Sequence, residues 1–324
     1  SPPGSPTPSD CAFLQCASCI KTGPCALFCF MVVHTVKEEK MVKKTVRFGE
    51  QAAVPAIGLG TWYMGEHAAQ RQQEVAALRV GIDHGLTVID TAEMYADGGA
   101  EEVVGQAIRG LRDRVVLVSK VYPWHAGKAA MHRACENSLR RLQTDYLDMY
   151  LLHWRGDIPL QETVEAMEKL VAEGKIRRWG VSNLDTEDMQ ALWRTADGEH
   201  CATNQVLYHL ASRGIEYDLL PWCQQHSLPV MAYCPLAQAG RLRDGLFQHS
   251  DIINMANARG ITVAQLLLAW VIRHPGVLAI PKAASIEHVV QNAAALDIVL
   301  SGEELAQLDR LYPPPQRKTR LDMV

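Results

Sequence analysis

Long apolar runs are missing from this 324-residue sequence: the longest uninterrupted one, Ala26–Val33, is far too short to cross a bilayer as a helix. An excess of one charge is missing too. Thirty-two Lys and Arg stand against 36 Asp and Glu, for a formal net charge of -4. That balance offers no electrostatic reason to expect nucleic acid or an anionic membrane as partner. No Asn-x-Ser/Thr sequon occurs, and no heptad seam, so a monomer is expected. Gly-x-Gly-x-x-Gly is absent as well: after Gly58-Leu-Gly60, Tyr63 stands where the third glycine would be needed. A Rossmann dehydrogenase is therefore disfavoured. Five of nine cysteines (Cys11, Cys16, Cys19, Cys25, Cys29) crowd the first thirty residues, while Cys135, Cys201, Cys223 and Cys234 are scattered. An odd total with sparse spacing in the main body predicts reduced thiols and a cytoplasmic location.

The first forty residues differ from everything after them. Ser1–Asp10 holds four prolines and is expected to be disordered. Cys16-x-x-Cys19 lacks a matching second pair with histidines at finger spacing, so no metal is expected. Lys21 before the Ala26–Val33 run faintly resembles a signal peptide, without an Ala-x-Ala-like cleavage site. Residues 1–40 are taken as an extension before a natural start at Met41, and 41–324 as one domain.

What is present is a large apolar fraction, 48%, and a repeating pattern. Thr45–Phe48 and Val54–Ile57 suit a hairpin around Gly49-Glu50-Gln51. Eight strand–helix units then follow in series. The strands are expected at Ala56–Gly60, Leu86–Asp90, Val115–Lys120, Tyr146–His153, Ile176–Ser182, Cys201–Val206, Pro229–Tyr233 and Val277–Pro281. Helical periods fill the gaps, at Glu74–Asp83, Ala100–Gly110, Lys128–Leu142, Leu160–Ala172, Glu187–Thr195, Glu216–His226, Val263–Arg273 and Ile286–Ala295, with one more at Gly302–Leu311. Serial βα units with right-handed crossovers mean a closed parallel barrel or a long doubly wound sheet. Eight in about 240 residues favours the α/β class as a (β/α)8 TIM barrel with an N-terminal hairpin and extra C-terminal helices. Ala237–Ile253 and Pro313–Val324 are expected as loops overhanging its mouth.

Each apolar strand ends in a polar side chain: Asp90, Lys120, His153, Ser182-Asn183, Asn204-Gln205, Tyr233 and Lys282. In a barrel those ends share one face. Asp90-Thr-Ala-Glu-Met-Tyr95 puts a phenol five residues after a carboxylate. A phenol with pKa about 10 is a poor acid at neutral pH, and an ammonium beside it, from Lys120, is expected to lower that value. With Asp90 holding Lys120 and His153 able to hydrogen-bond an oxygen, the set suits proton donation to a carbonyl under reduction. The same residues also allow a Schiff-base lysine, a structural Asp90–Lys120 ion pair, or metal ligation by His153 with Asp90, although no second histidine ends a strand.

Several motifs, in this order and at these separations, resemble the aldo-keto reductase family from roughly Val46 onward. They are Gly58-Leu-Gly-Thr-Trp62, Ile89-Asp-Thr-Ala-Glu-Met-Tyr95, Val118-Ser-Lys120, Tyr146-Leu-Asp-Met-Tyr-Leu-Leu-His-Trp154, Gly180-Val-Ser-Asn183, Asn204-Gln205, Ala232-Tyr-Cys-Pro-Leu236 and Ile280-Pro-Lys282. The look is of bacterial members that reduce small aldehydes and 2-oxoaldehydes such as methylglyoxal. The resemblance implies a tetrad of Asp90, Tyr95, Lys120 and His153, with Tyr95 the general acid. It implies NADPH as cofactor and a small carbonyl compound as substrate. Gly60, Thr61, Trp62, Asp90, Ser182, Asn183, Gln205, Tyr233, Pro235 and Leu236 match positions around the nicotinamide half. Lys282, Ser285 and His288 match the 2′-phosphate grip, and Gln291 and Asn292 match adenine contacts. Trp62, Tyr95, Tyr122, His153 and Trp154 match the substrate pocket.

Two departures stand out. Many members have serine at Ala283 and arginine at His288, so NADPH preference is expected to be weaker than usual and NADH use is conceivable. After Tyr95 the common Gly-Asn/Ser-Glu is replaced by Ala96-Asp-Gly-Gly99, at one pocket edge. Two rival roles share the motifs: a redox-sensing, NADPH-binding subunit of a membrane channel, and an alcohol or sugar dehydrogenase.

Overall fold

The computed structural model describes residues 44–324 except 239, 283 and 284. The expectations for residues 1–40, the Cys16–Cys19 pair, the Ala26–Val33 run, the start at Met41 and the departure at Ala283 lie outside the described residues.

Two short strands, β1 (Thr45–Val46) and β2 (Val54–Pro55), pair antiparallel with Val46 opposite Val54, which is the expected hairpin. Eight strands follow: β3 (Leu59–Gly60), β4 (Val88–Asp90), β5 (Val116–Val121), β6 (Leu147–Leu152), β7 (Ile176–Ser182), β8 (Asn204–Leu207), β9 (Val230–Tyr233) and β10 (Val277–Ile280). Each lies parallel beside the next in chain order. Parallel bridges Ile57–Ala279 and Gly60–Lys282 join the last strand to the first, so the sheet closes into the expected barrel. Glycines let the first strand approach both neighbours closely, Gly58 toward β4 and Gly60 across the seam. A Cβ on Gly58 would sit 2.8 Å from the Val88 carbonyl oxygen, and one on Gly60 3.1 Å from the oxygens of Ile280 and Pro281.

The barrel strands are mostly apolar and are buried on both faces, as all six residues of β5 illustrate, Ser119 and Lys120 included. Helices wrap the outside: α1 (Arg71–Asp83), α2 (Gly99–Ala107), α3 (Met131–Leu142), α4 (Leu160–Ala172), α5 (Thr186–Trp193) and α6 (Leu219–Gln225) follow β3 to β8. After β9 come α7 (Leu242–Gln248), α8 (Ser250–Arg259) and α9 (Val263–Val271), and after β10 come α10 (Ile286–Ala294) and α11 (Gly302–Leu311). Their starts are chemically marked. Thr262 and Ser301 each close a reciprocal capping box, with Gln265 and Glu304 respectively. Among the described residues no single helix is long and apolar enough to cross a membrane.

One expectation needs correction. Ala237–Ile253 is not simply a loop: it contains α7 and the start of α8. Gly240 and Gly245 interrupt that stretch and leave no apolar period long enough to register as helical. Residues 313–324 do form no helix or strand. Lys318 ties them down, its Nζ donating to Asp185 Oδ1 at 2.6 Å and Asp218 Oδ1 at 2.7 Å.

Candidate active site

The polar strand ends converge at the C-terminal mouth of the barrel. Asp90 closes β4, Lys120 lies near the end of β5, and His153 directly follows β6. Lys120 is completely buried, and its three ammonium protons each have an acceptor. Nζ donates to Asp90 Oδ2 at 2.7 Å, to the Thr91 carbonyl at 3.0 Å and to the Tyr95 hydroxyl at 3.0 Å. Gln205, from β8, donates its Nε2 to the other Asp90 oxygen at 2.8 Å. Thr61 Oγ1 fixes the Asp90 backbone by donating to its carbonyl at 2.8 Å. The Tyr95 and His153 rings meet edge to face at 5.9 Å. All four tetrad residues are thus brought together.

Burial sets the protonation states. It pushes the Tyr95 phenol well above its ordinary value, and the nearby Asp90 and Cys234 add to the rise. The expectation that Lys120 lowers this pKa is therefore corrected: desolvation outweighs the ammonium. Tyr95 keeps its proton at neutral pH, as a donor must. Burial also lowers Lys120, while Asp90 opposes that fall. His153 is held well below its usual range by burial and by the Lys120 charge, so its ring is neutral. His153 Nδ1 is buried without a partner. An unpaired lone pair there is less costly than an unpaired N–H, which assigns the proton to Nε2.

Beside this centre, Ser182 Oγ donates to the Gln205 carbonyl at 2.8 Å, and Asn183 Nδ2 to the His153 carbonyl at 3.1 Å. Asn183 adopts φ 58°, where asparagine is tolerated, and its Oδ1 accepts from the Tyr233 hydroxyl at 2.7 Å. Tyr122, at the end of β5, and Trp154 stand edge to face at 6.1 Å, and Trp154 lies 5.0 Å from the His153 ring. Trp62 stacks on Tyr63 at 4.5 Å on the other side of Tyr95.

A small cavity beside Tyr95 is lined by Gly60, Thr61, Trp62, Asp90, Tyr233 and Lys282. It runs on, through Tyr63, Gln238 and Lys282, into an open cleft of about 660 Å³ bordered by Leu236, His288, Gln291 and Asn292. Ser182, Asn183, Gln205, Pro235 and Ser285 of the expected cofactor set, and Tyr122, His153 and Trp154 of the expected substrate set, are not among the residues lining the cavity or the cleft. Ser285 caps α10, its hydroxyl accepting from the His288 backbone N–H at 3.3 Å. The structure adds residues that the sequence reading missed. Arg243 and Phe247 of α7 border the cleft with Thr262. The Arg243 guanidinium lies 4.1 Å over the Phe247 ring and donates to the Leu236 carbonyl at 3.0 Å. No motif marks them; only recognising α7 could have found them. Lys282, Arg243 and His288 make this end of an otherwise acidic protein receptive to anions.

Tyr95 followed by Ala96 and Asp97, at φ 51° and 50°, forms a turn of two successive left-handed non-glycine residues. That is the physical content of the departure after Tyr95: the backbone keeps a conformation glycine would adopt freely.

Comparison with known proteins agrees with this architecture. Residues 56–313 match the profile of the "Aldo/keto reductase family". The chain is 66% identical over 284 residues to methylglyoxal reductase YeaE of Escherichia coli, covering 88% of this chain and all of that protein. It is 34% identical over 273 residues to glyoxal reductase of Bacillus subtilis, covering 83% and 93% respectively. A crystal structure of an aldo/keto reductase from Klebsiella pneumoniae, in complex with NADP and acetate, superposes with a TM-score of 0.86 at 99% identity, covering 87% of this chain and all of that one. A mouth that joins a buried lysine, carboxylate and phenol to a basic cleft is thus found where the motifs of known oxidoreductases lie, and the chain belongs to the aldo/keto reductase family.

Proposed function

We propose that this protein reduces aldehydes, small reactive ones and 2-oxoaldehydes such as methylglyoxal foremost and ketones also, to alcohols with NADPH. One observation carries the reading: the Tyr95 oxygen lies 3.0 Å from a buried Lys120 Nζ that Asp90 also holds, and its ring meets His153 edge to face. The names of the E. coli and B. subtilis relatives support the substrate class, and the NADP of the K. pneumoniae structure supports the cofactor.

The residues present fit a dinucleotide. Ser182, Asn183 and Gln205 offer donors and acceptors of the kind an amide needs, beside the Tyr233 ring. The cleft toward Gln291 and Asn292 has room and carries Lys282, Arg243 and His288 for phosphate. Bound there, the reduced nicotinamide would supply the hydrogen and electron pair that the carbonyl carbon gains. The protein's own part is the oxygen. His153 Nε2–H orients it, and Tyr95 donates its proton as negative charge develops. Phenol is intrinsically a stronger acid than an alcohol, which favours that transfer. Lys120 stabilises the phenolate left behind, and Asp90 keeps Lys120 in register. Trp62, Tyr122 and Trp154 wall the carbonyl compound.

Tyr95→Phe tests the assignment. Turnover of methylglyoxal should fall by about 10²–10⁴-fold, the range for losing a general acid. NADPH affinity, followed by tryptophan quenching, should stay unchanged. A variant that reduces aldehydes at the wild-type rate would refute the role of Tyr95.

A further inference from the structure

The turn after β5 carries more than the methylglyoxal reading uses. Pro123–His125 forms a single 3-10 turn, and on it Trp124 is 59% exposed. A lone exposed apolar side chain needs no explanation. This one is neither alone nor loose. Trp124 stacks on Tyr122 at 4.4 Å and meets Trp154 edge to face at 5.6 Å. Trp154 in turn lies 5.0 Å from the His153 ring. The turn is clamped from behind by Glu93, a buried carboxylate two residues before Tyr95. Its Oε1 accepts from the Tyr122 backbone N–H at 2.7 Å and is 3.0 Å from His125 Nδ1. The aromatic turn is therefore held by a carboxylate of the loop that also carries Tyr95.

The result is a continuous path of rigid aromatic surface leading from the reacting centre to solvent. A three-carbon oxoaldehyde with its oxygen at Tyr95 is too short to touch an indole two ring contacts beyond His153. We propose that Trp124, backed by Tyr122 and Trp154, forms an outer subsite that binds the aryl or fused-ring body of aldehydes larger than methylglyoxal. Flat rings gain stacked or edge contacts there and leave water as they do so. The inference rests on the reading of Tyr95 and His153 as the carbonyl-reducing centre. Glu93 acts as a positioning residue, through Tyr122 and His125.

The test compares methylglyoxal with 2-naphthylglyoxal, which present the same reacting group, in wild type, Trp124→Ala and Trp124→Phe. In Trp124→Ala, KM for 2-naphthylglyoxal should rise about five-fold with kcat held, the size of one aromatic contact. Methylglyoxal kinetics should stay within about two-fold of wild type, which also shows that the variant folds. Trp124→Phe should recover most of the loss. An unchanged KM for 2-naphthylglyoxal in Trp124→Ala, or an equal loss for both aldehydes, overturns the subsite. Wild-type protein that reduces neither aldehyde overturns the reductase reading and the subsite with it.

Discussion

Lys120→Met is the perturbation whose cost the structure lets us work out. Lys120 and Asp90 pair at 2.7 Å with side chains only 1% and 5% exposed. Methionine fills a similar volume but removes all three N–H donors. Asp90 then keeps Gln205 on one oxygen and nothing on the other, and the Thr91 carbonyl and Tyr95 oxygen lose their donor as well. Leaving one partner of a buried ion pair uncompensated costs about 3–5 kcal/mol. For a domain of this size that is a fall in Tm of roughly 5–9 °C. The second half of the argument concerns Asp90→Asn in the same chain. Asparagine still accepts from Gln205 and carries no charge, so the double variant should recover to within about 1–2 kcal/mol of wild type. Urea unfolding followed by tryptophan fluorescence gives all four corners of the cycle. The double variant should be folded and inactive. If each single change costs under about 1 kcal/mol and the two simply add, the desolvation argument is wrong.

Three further outcomes follow from the same geometry. Burial holds His209 down at about 4, against an ordinary 6.5, while its Nδ1 accepts from the Ala211 N–H at 3.2 Å. The unfolded chain therefore binds more protons across that interval, and stability should fall as pH drops through it, by up to about 1.4 kcal/mol per pH unit. Urea midpoints between pH 7 and pH 5 measure this; His209→Asn should flatten the profile, and an equally steep profile in that variant would count against the assignment. Ala96→Gly relieves a left-handed alanine and should stabilise by about 1 kcal/mol, or about 2 °C in Tm; no gain in calorimetry would mean that the turn holds no such strain. His288→Arg should raise the preference for NADPH over NADH about ten-fold by adding a permanent charged donor at the cleft; an unchanged ratio of kcat/KM values would remove His288 from the phosphate grip.

Much of this molecule could be seen in the sequence because its two periods are clean. Apolar runs such as Met149–Leu152, which ends in His153, mark barrel strands and their mouth at once. The tetrad was legible for the same reason: Asp90, Lys120 and His153 sit at three successive strand ends. What escaped notice was the segment around Arg243 and Phe247, where a seven-residue helix with Gly245 inside it is too short to show a period. The acidity of Tyr95 also lay beyond sequence, since the ammonium can be read from spacing but the degree of desolvation cannot. Glu93 shows a third kind of limit. A glutamate between two motif residues looks like an ordinary loop carboxylate until its partners, Tyr122 and His125, are seen around it.

The seam between Gly60 and Lys282 has a consequence for the birth of the chain. More than two hundred residues separate the two sides of that joint. At ribosomal speeds the first barrel strand must wait roughly 10–45 s for its second neighbour to be made. Throughout that interval β3 is an unpaired edge with free N–H and C=O groups, open to the wrong strand or the wrong molecule. Gly60, which faces the last strand across the seam, is one of only two residues in β3, so this short strand, poor in side chains, offers a stray strand little to hold. The joint that completes the ring last is thereby also the one least able to aggregate before it closes.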